Sequence, residues 1–126
     1  MKIVLVDDSD RVREQVKHSL AELPRIEIVG EAADVGEALH VVQAQKPDVA
    51  VLDIQLPGGS GLDVLREIKR TQPKTVVIML TNYATPQYRN TCLSAGADYF
   101  FDKFSEQDRL MAVIEDLAQK LSQGQP

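Results

Sequence analysis

Hydrophobic residues along the chain gather into five short runs: Ile3-Val4-Leu5-Val6, Ile26-Glu27-Ile28-Val29, Val49-Ala50-Val51-Leu52, Val76-Val77-Ile78-Met79-Leu80 and Tyr99-Phe100-Phe101. They recur at roughly regular intervals, and each has the length and composition of a strand. The first, third and fourth are unbroken and rich in β-branched side chains, as central strands covered on both faces are. The second alternates around Glu27 and is expected nearer an edge. Between the runs lie helix-length segments with start signals. Asp34-Val35-Gly36-Glu37, Ser60-Gly61-Leu62-Asp63 and Ser105-Glu106-Gln107-Asp108 have the form of capping boxes, and Thr85-Pro86 places a cap before a proline suited to the first helical position. Leu110, Ile114, Leu117 and Leu121 fall on one face of a last helix. The helix before it has only a thin apolar stripe, Tyr88, Cys92 and Ala95, and is expected to be loosely held. Five alternations of strand and helix imply a parallel sheet with helices on both faces, a doubly wound α/β fold, because right-handed crossovers are nearly obligatory. The pattern predicts one domain over residues 1–121 and a flexible tail over 122–126.

Composition narrows the function classes. With 126 residues, 44% of them hydrophobic, the chain has the size and core of one domain. Cys92 is the only cysteine and cannot pair within the chain, which suits a reducing compartment and a role as a small apolar side chain. The apolar runs are far shorter than the ~20 residues of a membrane span, and Asp7-Asp8 interrupts the first, so a cytoplasmic protein without membrane contact is expected. Fourteen basic against 19 acidic residues leave a net charge of −5, which argues against direct binding of nucleic acid through its phosphates. His18 and His40 read as solvated helix residues.

In a doubly wound sheet, ligands bind outside the carboxyl ends of the strands. Those ends carry Asp7-Asp8, Asp53, Thr81 and Lys103. Two carboxylates ~4 Å apart repel by about 4 kcal/mol at an effective dielectric near 20, so the cluster needs a proton or a cation, and Lys103 supplies one charge only. A site with few protein oxygens and water suits Mg²⁺, whereas the lack of His and Cys disfavours zinc. One carboxylate is then placed to attack a phosphoryl group, with Lys103 and the Thr81 hydroxyl to neutralise and orient its oxygens. Strand-terminal Asp and Thr often merely cap turns, but five such residues converging on one edge argue for a site.

These residues match a known family. From Lys2 to about Leu121 the chain resembles the receiver domain of bacterial two-component response regulators. The resemblance rests on Val6-Asp7-Asp8, on Asp53-Ile54-Gln55-Leu56-Pro57-Gly58-Gly59-Ser60-Gly61, on Leu80-Thr81-Asn82, and on Ala95-Gly96-Ala97 leading to Lys103. It implies a flavodoxin-like (βα)5 fold with strand order 2-1-3-4-5. It further implies that Asp53 accepts a phosphoryl group from a phosphohistidine on a sensor histidine kinase or phosphotransfer protein. Asp8, Asp53 and the backbone carbonyl of Gln55 would hold Mg²⁺, with Asp7 acting through water. Lys103 would pair with the phosphoryl oxygens, and Thr81 would report them to Phe100 at the switch-aromatic position. The fourth helix, fifth strand and fifth helix would be the face that changes shape, meets an effector and pairs in a phosphorylation-dependent homodimer. Such a protein promotes its own phosphorylation and dephosphorylation and is not an enzyme with turnover. The segment from Val29 to Leu65 looks most like receivers that precede a helix-turn-helix DNA-binding domain. The chain is then either a single-domain regulator or a receiver from a longer protein whose output domain is missing.

Departures from the family pattern set further expectations. Phe104 stands where the family carries a proline joined by a cis bond, and cis would cost a non-proline residue roughly 3 kcal/mol. Phe100 has no hydroxyl to anchor an outward rotamer, so a weak rotamer signal is expected, while Tyr99 and Phe101 read as core. Asn82 and Tyr83 are expected to restrict attack by water or small phosphodonors and to lengthen the life of the phosphoryl group. Rival folds fit less well. A nucleotide- or flavin-binding domain needs glycines after the first strand, where the acidic Asp7-Asp8-Ser9-Asp10 would repel phosphate. A haloacid-dehalogenase-type phosphatase expects a second Asp where Gln55 stands. A receiver used purely for protein interaction or dimerisation, without phosphorylation, would be marked by loss of acidic or phosphoacceptor residues, and none is lost.

Overall fold

In the computed structural model, which describes residues 1–82 and 84–123, all five apolar runs are strands. The elements are β1 (Lys2–Val6), α1 (Asp10–Leu20), β2 (Glu27–Ala32), α2 (Val35–Gln45), β3 (Val49–Leu52), β4 (Gln55–Leu56), β5 (Gly59–Ser60), α3 (Gly61–Thr71), β6 (Val76–Thr81), α4 (Pro86–Ser94), β7 (Tyr99–Asp102) and α5 (Gln107–Gln123). The long strands form a parallel sheet ordered β2-β1-β3-β6-β7. Counted without β4 and β5, this is the expected 2-1-3-4-5 order. The three unbroken runs, β1, β3 and β6, occupy the centre, and the alternating β2 lies at an edge. A strand buried on both faces must be apolar at every position, whereas an edge strand need not be.

Each face of the sheet carries its own core. Val4, Val6, Leu52, Met79 and Phe100 pack against α2, α3 and α4. Ile3, Leu5, Val51, Leu80 and Phe101 pack against α1 and α5. Cys92 is the buried residue of α4, consistent with the thin stripe read from sequence, and burial pushes its thiol pKa up, against a small lowering from Arg66. His18 and His40 are exposed.

Local chemistry sets the boundaries. Ser9 caps α1 and Asp34 caps α2, each side chain accepting a backbone N–H inside the helix. Ser60 and Asp63 form a full capping box on α3, and Thr85 caps α4 before Pro86. Glu37 closes back on the Ala33 N–H, one residue before the cap. Two expectations change. Ser105 does not start a helix: Asp102 accepts the Phe104 and Ser105 N–H groups at 2.9 and 3.0 Å, and Glu106 accepts the Asp102 N–H, so a turn forms and α5 begins at Gln107. On α5, Ala118 is buried with Leu110 and Ile114, while Leu121 is exposed. The helix continues to Gln123, into the segment read as a tail, and residues 124–126 lie outside those described. The hairpin of β4 and β5 was not expected; its turn uses Gly58 at φ 85°, a conformation other residues avoid.

Candidate functional site

The order of the sheet reverses between β1 and β3, and the first two site residues stand at that switch point. Asp7 follows β1 and Asp53 follows β3, and the Asp53 N–H donates to the Val6 carbonyl at 3.0 Å, tying the two strand ends together. Thr81 closes β6 and Lys103 follows β7, whose N–H donates to the Thr81 carbonyl at 2.8 Å. Sequence-distant residues thus share one edge because four adjacent strands end there.

The Lys103 ammonium is the centre of the arrangement. Its Nζ lies 2.7 Å from Asp53 Oδ2 and 2.8 Å from Asp7 Oδ2. All three groups are buried, at 5% exposure for Lys103, 3% for Asp53 and 5% for Asp7. The other Asp53 oxygen, Oδ1, accepts the Ile54 N–H at 2.7 Å, and Asp7 Oδ1 accepts the Ser9 N–H at 2.8 Å. Asp8 is exposed at the rim, with a carboxylate oxygen within 4.8 Å of those of Asp7 and Asp53. Thr81 is fully buried. Gln55 lies in β4, two residues beyond Asp53, with its side chain outward.

Charge explains the pKa directions. Burial raises the Asp7 carboxyl above the ordinary range, assisted by the Asp53 charge and only partly offset by bonds to Lys103 and Ser9. Burial alone would lower Lys103, but the hydrogen bonds and charges of Asp53 and Asp7 outweigh it and hold the ammonium above its usual value. Three carboxylates against one ammonium leave the cluster under-compensated, an arrangement that attracts a hard cation.

Phe100 is 4% exposed, facing the α4 side of the sheet, where Arg89 donates to its carbonyl at 3.2 Å and lies 5.9 Å above its ring. It pairs in register with Met79, two residues before Thr81, so Phe100 and Thr81 share a face of the sheet. Tyr99 and Phe101 stack on the opposite face, 6.1 Å between centroids. Phe104 is exposed, and no cis peptide bond occurs among the described residues. Asn82 is exposed next to Thr81, and Tyr83 lies outside the described residues.

Two contacts escaped the sequence reading. Gly61 abuts the Asp53 backbone: a Cβ there would stand 1.8 Å from the Asp53 carbonyl oxygen. Arg13 donates from Nη1 to the Asp7 carbonyl. The spacing of Arg13 from Asp8 gives no hint of this contact.

The chain belongs to the response regulator receiver domain family, whose model matches residues 3–115. It is therefore a receiver domain of two-component signalling. It is 34% identical over 117 residues to the DNA-binding transcriptional activator DevR/DosR of Mycobacterium tuberculosis, a match covering 93% of this chain and 54% of that protein. It is 40% identical over 105 residues to a protein-glutamate methylesterase/protein-glutamine glutaminase of Alkalilimnicola ehrlichii, covering 82% of this chain and 27% of that protein. Among solved structures, a two-component response regulator of the LuxR family from Aurantimonas sp. SI85-9A1 superposes with a TM-score of 0.86 at 30% identity, covering 94% of this chain and 84% of that one. The chain spans about half, or less, of the length of these two curated relatives.

Proposed function

We propose that this receiver is a phosphorylation-activated cytoplasmic switch in which Asp53 takes a phosphoryl group from a phosphohistidine of a sensor histidine kinase or phosphotransfer protein. The observation that carries the reading is the buried Lys103 ammonium bound to both Asp53 and Asp7, with the Lys103 N–H on the carbonyl of the buried Thr81. An Asp53 carboxylate oxygen attacks phosphorus, and the bond from phosphorus to the donor nitrogen breaks. Lys103, already 2.7 Å from Asp53, passes its hydrogen bond to a phosphoryl oxygen, and the Thr81 hydroxyl donates to another. Burial strengthens both contacts, because little water competes for them.

The donor set fits Mg²⁺: three carboxylates with oxygens within 4.8 Å of one another, and neither His nor Cys in the group. Asp8, Asp53 and the Gln55 carbonyl would hold the ion, with Asp7 acting through water. When bound, Mg²⁺ supplies charge neutralisation on the phosphoryl oxygens. The chain's own residues do the rest. Movement of Thr81 towards the new group vacates space on the face it shares with Phe100, and the change spreads to α4, β7 and α5. That face then engages an effector, a second copy of the chain, or an output domain outside these 126 residues. The DNA-binding activator among the relatives supports an output domain of that kind, while this acidic domain itself leaves DNA untouched.

The test is incubation with acetyl phosphate and MgCl₂, read by intact mass. The parent gains one phosphoryl group; Asp53→Asn, or the parent in EDTA, gains none. A gain that survives Asp53→Asn overturns the assignment, and no gain in the parent favours a phosphorylation-independent interaction module.

A further inference from the structure

Asp7 is held by Lys103, by the Ser9 N–H and by its own N–H on the Ala32 carbonyl, whereas the next residue, Asp8, is exposed. One further side chain holds the peptide that joins the two. Arg13 is 13% exposed, and its guanidinium serves three acceptors: Nη1 donates to the Asp7 carbonyl, Nη2 to Asp10 Oδ1, and Nε to Glu31 Oε1 at 3.1 Å. The Asp7 carbonyl belongs to the peptide that links Asp7 to Asp8. Pinning it fixes the direction in which the Asp8 carboxylate leaves the chain. The second contact holds Asp10, another acidic residue of the same turn. The third anchors the guanidinium on the edge strand β2 through Glu31, which Lys17 also binds at 2.9 Å.

We infer that Arg13 is a positioning residue for the cation site: it orients the Asp7-Asp8 peptide so that Asp8 joins Asp7 and Asp53 within reach of one ion. The inference rests on the reading of that carboxylate group as a divalent-cation site. The plain alternative is an ion pair that contributes only stability and charge, and the two make opposite predictions. Removing a positive charge beside three carboxylates, and freeing Asp10 and Glu31 with it, increases the attraction for a cation by Coulomb's law. Charge alone therefore predicts tighter Mg²⁺ binding in Arg13→Gln. Loss of orientation predicts weaker binding, by roughly tenfold, the lower end of what supporting residues contribute around metal ligands. Arg13→Lys separates the two again, because it keeps the charge but its compact ammonium cannot serve three acceptors in one plane.

The experiment is a titration of the parent, Arg13→Gln and Arg13→Lys with MgCl₂, following the backbone amide chemical shifts of Asp8, Ser9 and Ile54, with the remaining spectrum reporting the fold. The expected result is a saturable shift in the parent and about tenfold weaker binding in both variants. Binding as tight as the parent's, or tighter, in either folded variant overturns the proposal. Should Arg13→Gln not fold, Arg13→Lys decides by the same criterion. A parent with no saturable shift removes the cation site itself, and the role of Arg13 with it, whereas a binding parent with unaffected variants removes only the latter.

Discussion

Gly61 stands against the backbone of Asp53, the proposed phosphoacceptor, and leaves no room for a methyl group: the added Cβ would meet the Asp53 carbonyl oxygen at 1.8 Å and its carbonyl carbon at 2.8 Å. Neither atom belongs to a flexible side chain, so Gly61→Ala must displace Asp53 itself. Misplacement on that scale lowers the rate of acyl-phosphate formation on the order of tenfold or more. The fitting comparison is Gly30→Ala, whose Cβ would meet a Val41 methyl at 2.3 Å on the edge strand. Both variants lose stability from overpacking, about 1–3 kcal/mol. Phosphorylation by acetyl phosphate, measured on folded protein, should slow in Gly61→Ala and stay near the parent's rate in Gly30→Ala; equal rates in the two would refute the steric account. In the sequence Gly61 is visible only as the end of a motif and part of a capping box. Its reason for being glycine is a contact with Asp53, made when α3 folds back over the end of β3. Lys103 was legible further, because its strand-end placement follows from the order of elements. That it bonds both Asp53 and Asp7 was not, since the pairing depends on side-chain reach.

At the scale of elements, α1 and β2 are joined by an ionic cluster. Glu31 accepts from Lys17 at 2.9 Å and Arg13 at 3.1 Å. Partial burial would raise its pKa, but the two cations outweigh burial and hold it below the ordinary value. A carboxylate depressed in the folded state adds stability above its unfolded pKa and loses that contribution as pH falls through the folded pKa. Glu31→Gln is therefore expected to be less stable than the parent at pH 7, by no more than about 1 kcal/mol given its exposure. The difference should vanish in acid, below the usual carboxylate range, when urea melts of the two are compared across pH. A difference that persists undiminished in acid would mean that packing, not charge, ties the elements. The strands were legible because burial on one or two faces imposes a pattern that few alternatives share. The start of α5 was not: Ser105 has the right spacing to Asp108, but Asp102 captures the Ser105 N–H first. Local motifs compete for the same donors, and only the folded chain settles which wins.

Across the whole molecule, the strand order places Asp7, Asp53, Thr81 and Lys103 on one edge, and Phe100 on the face that Thr81 shares. The parallel, doubly wound sheet followed from the alternation of elements, its strand order from the resemblance to receivers, and the candidate chemistry from which residues close the strands. What lies on the α4–β7–α5 face was less legible, because Cys92 is the buried residue of α4 and the helix has little core pattern to read. The relatives carry the same domain in proteins with different outputs, a transcriptional activator and a methylesterase, which fits the proposal that the domain's own task is to accept the phosphoryl group. The most direct measurement locates that group. Protein treated with acetyl phosphate and Mg²⁺ is reduced with borohydride, which converts an aspartyl phosphate to homoserine, and the digested peptides are sequenced by mass spectrometry. Homoserine at position 53 and at no other aspartate is the predicted result. Homoserine at Asp7 or Asp8 instead, or at none, would contradict it.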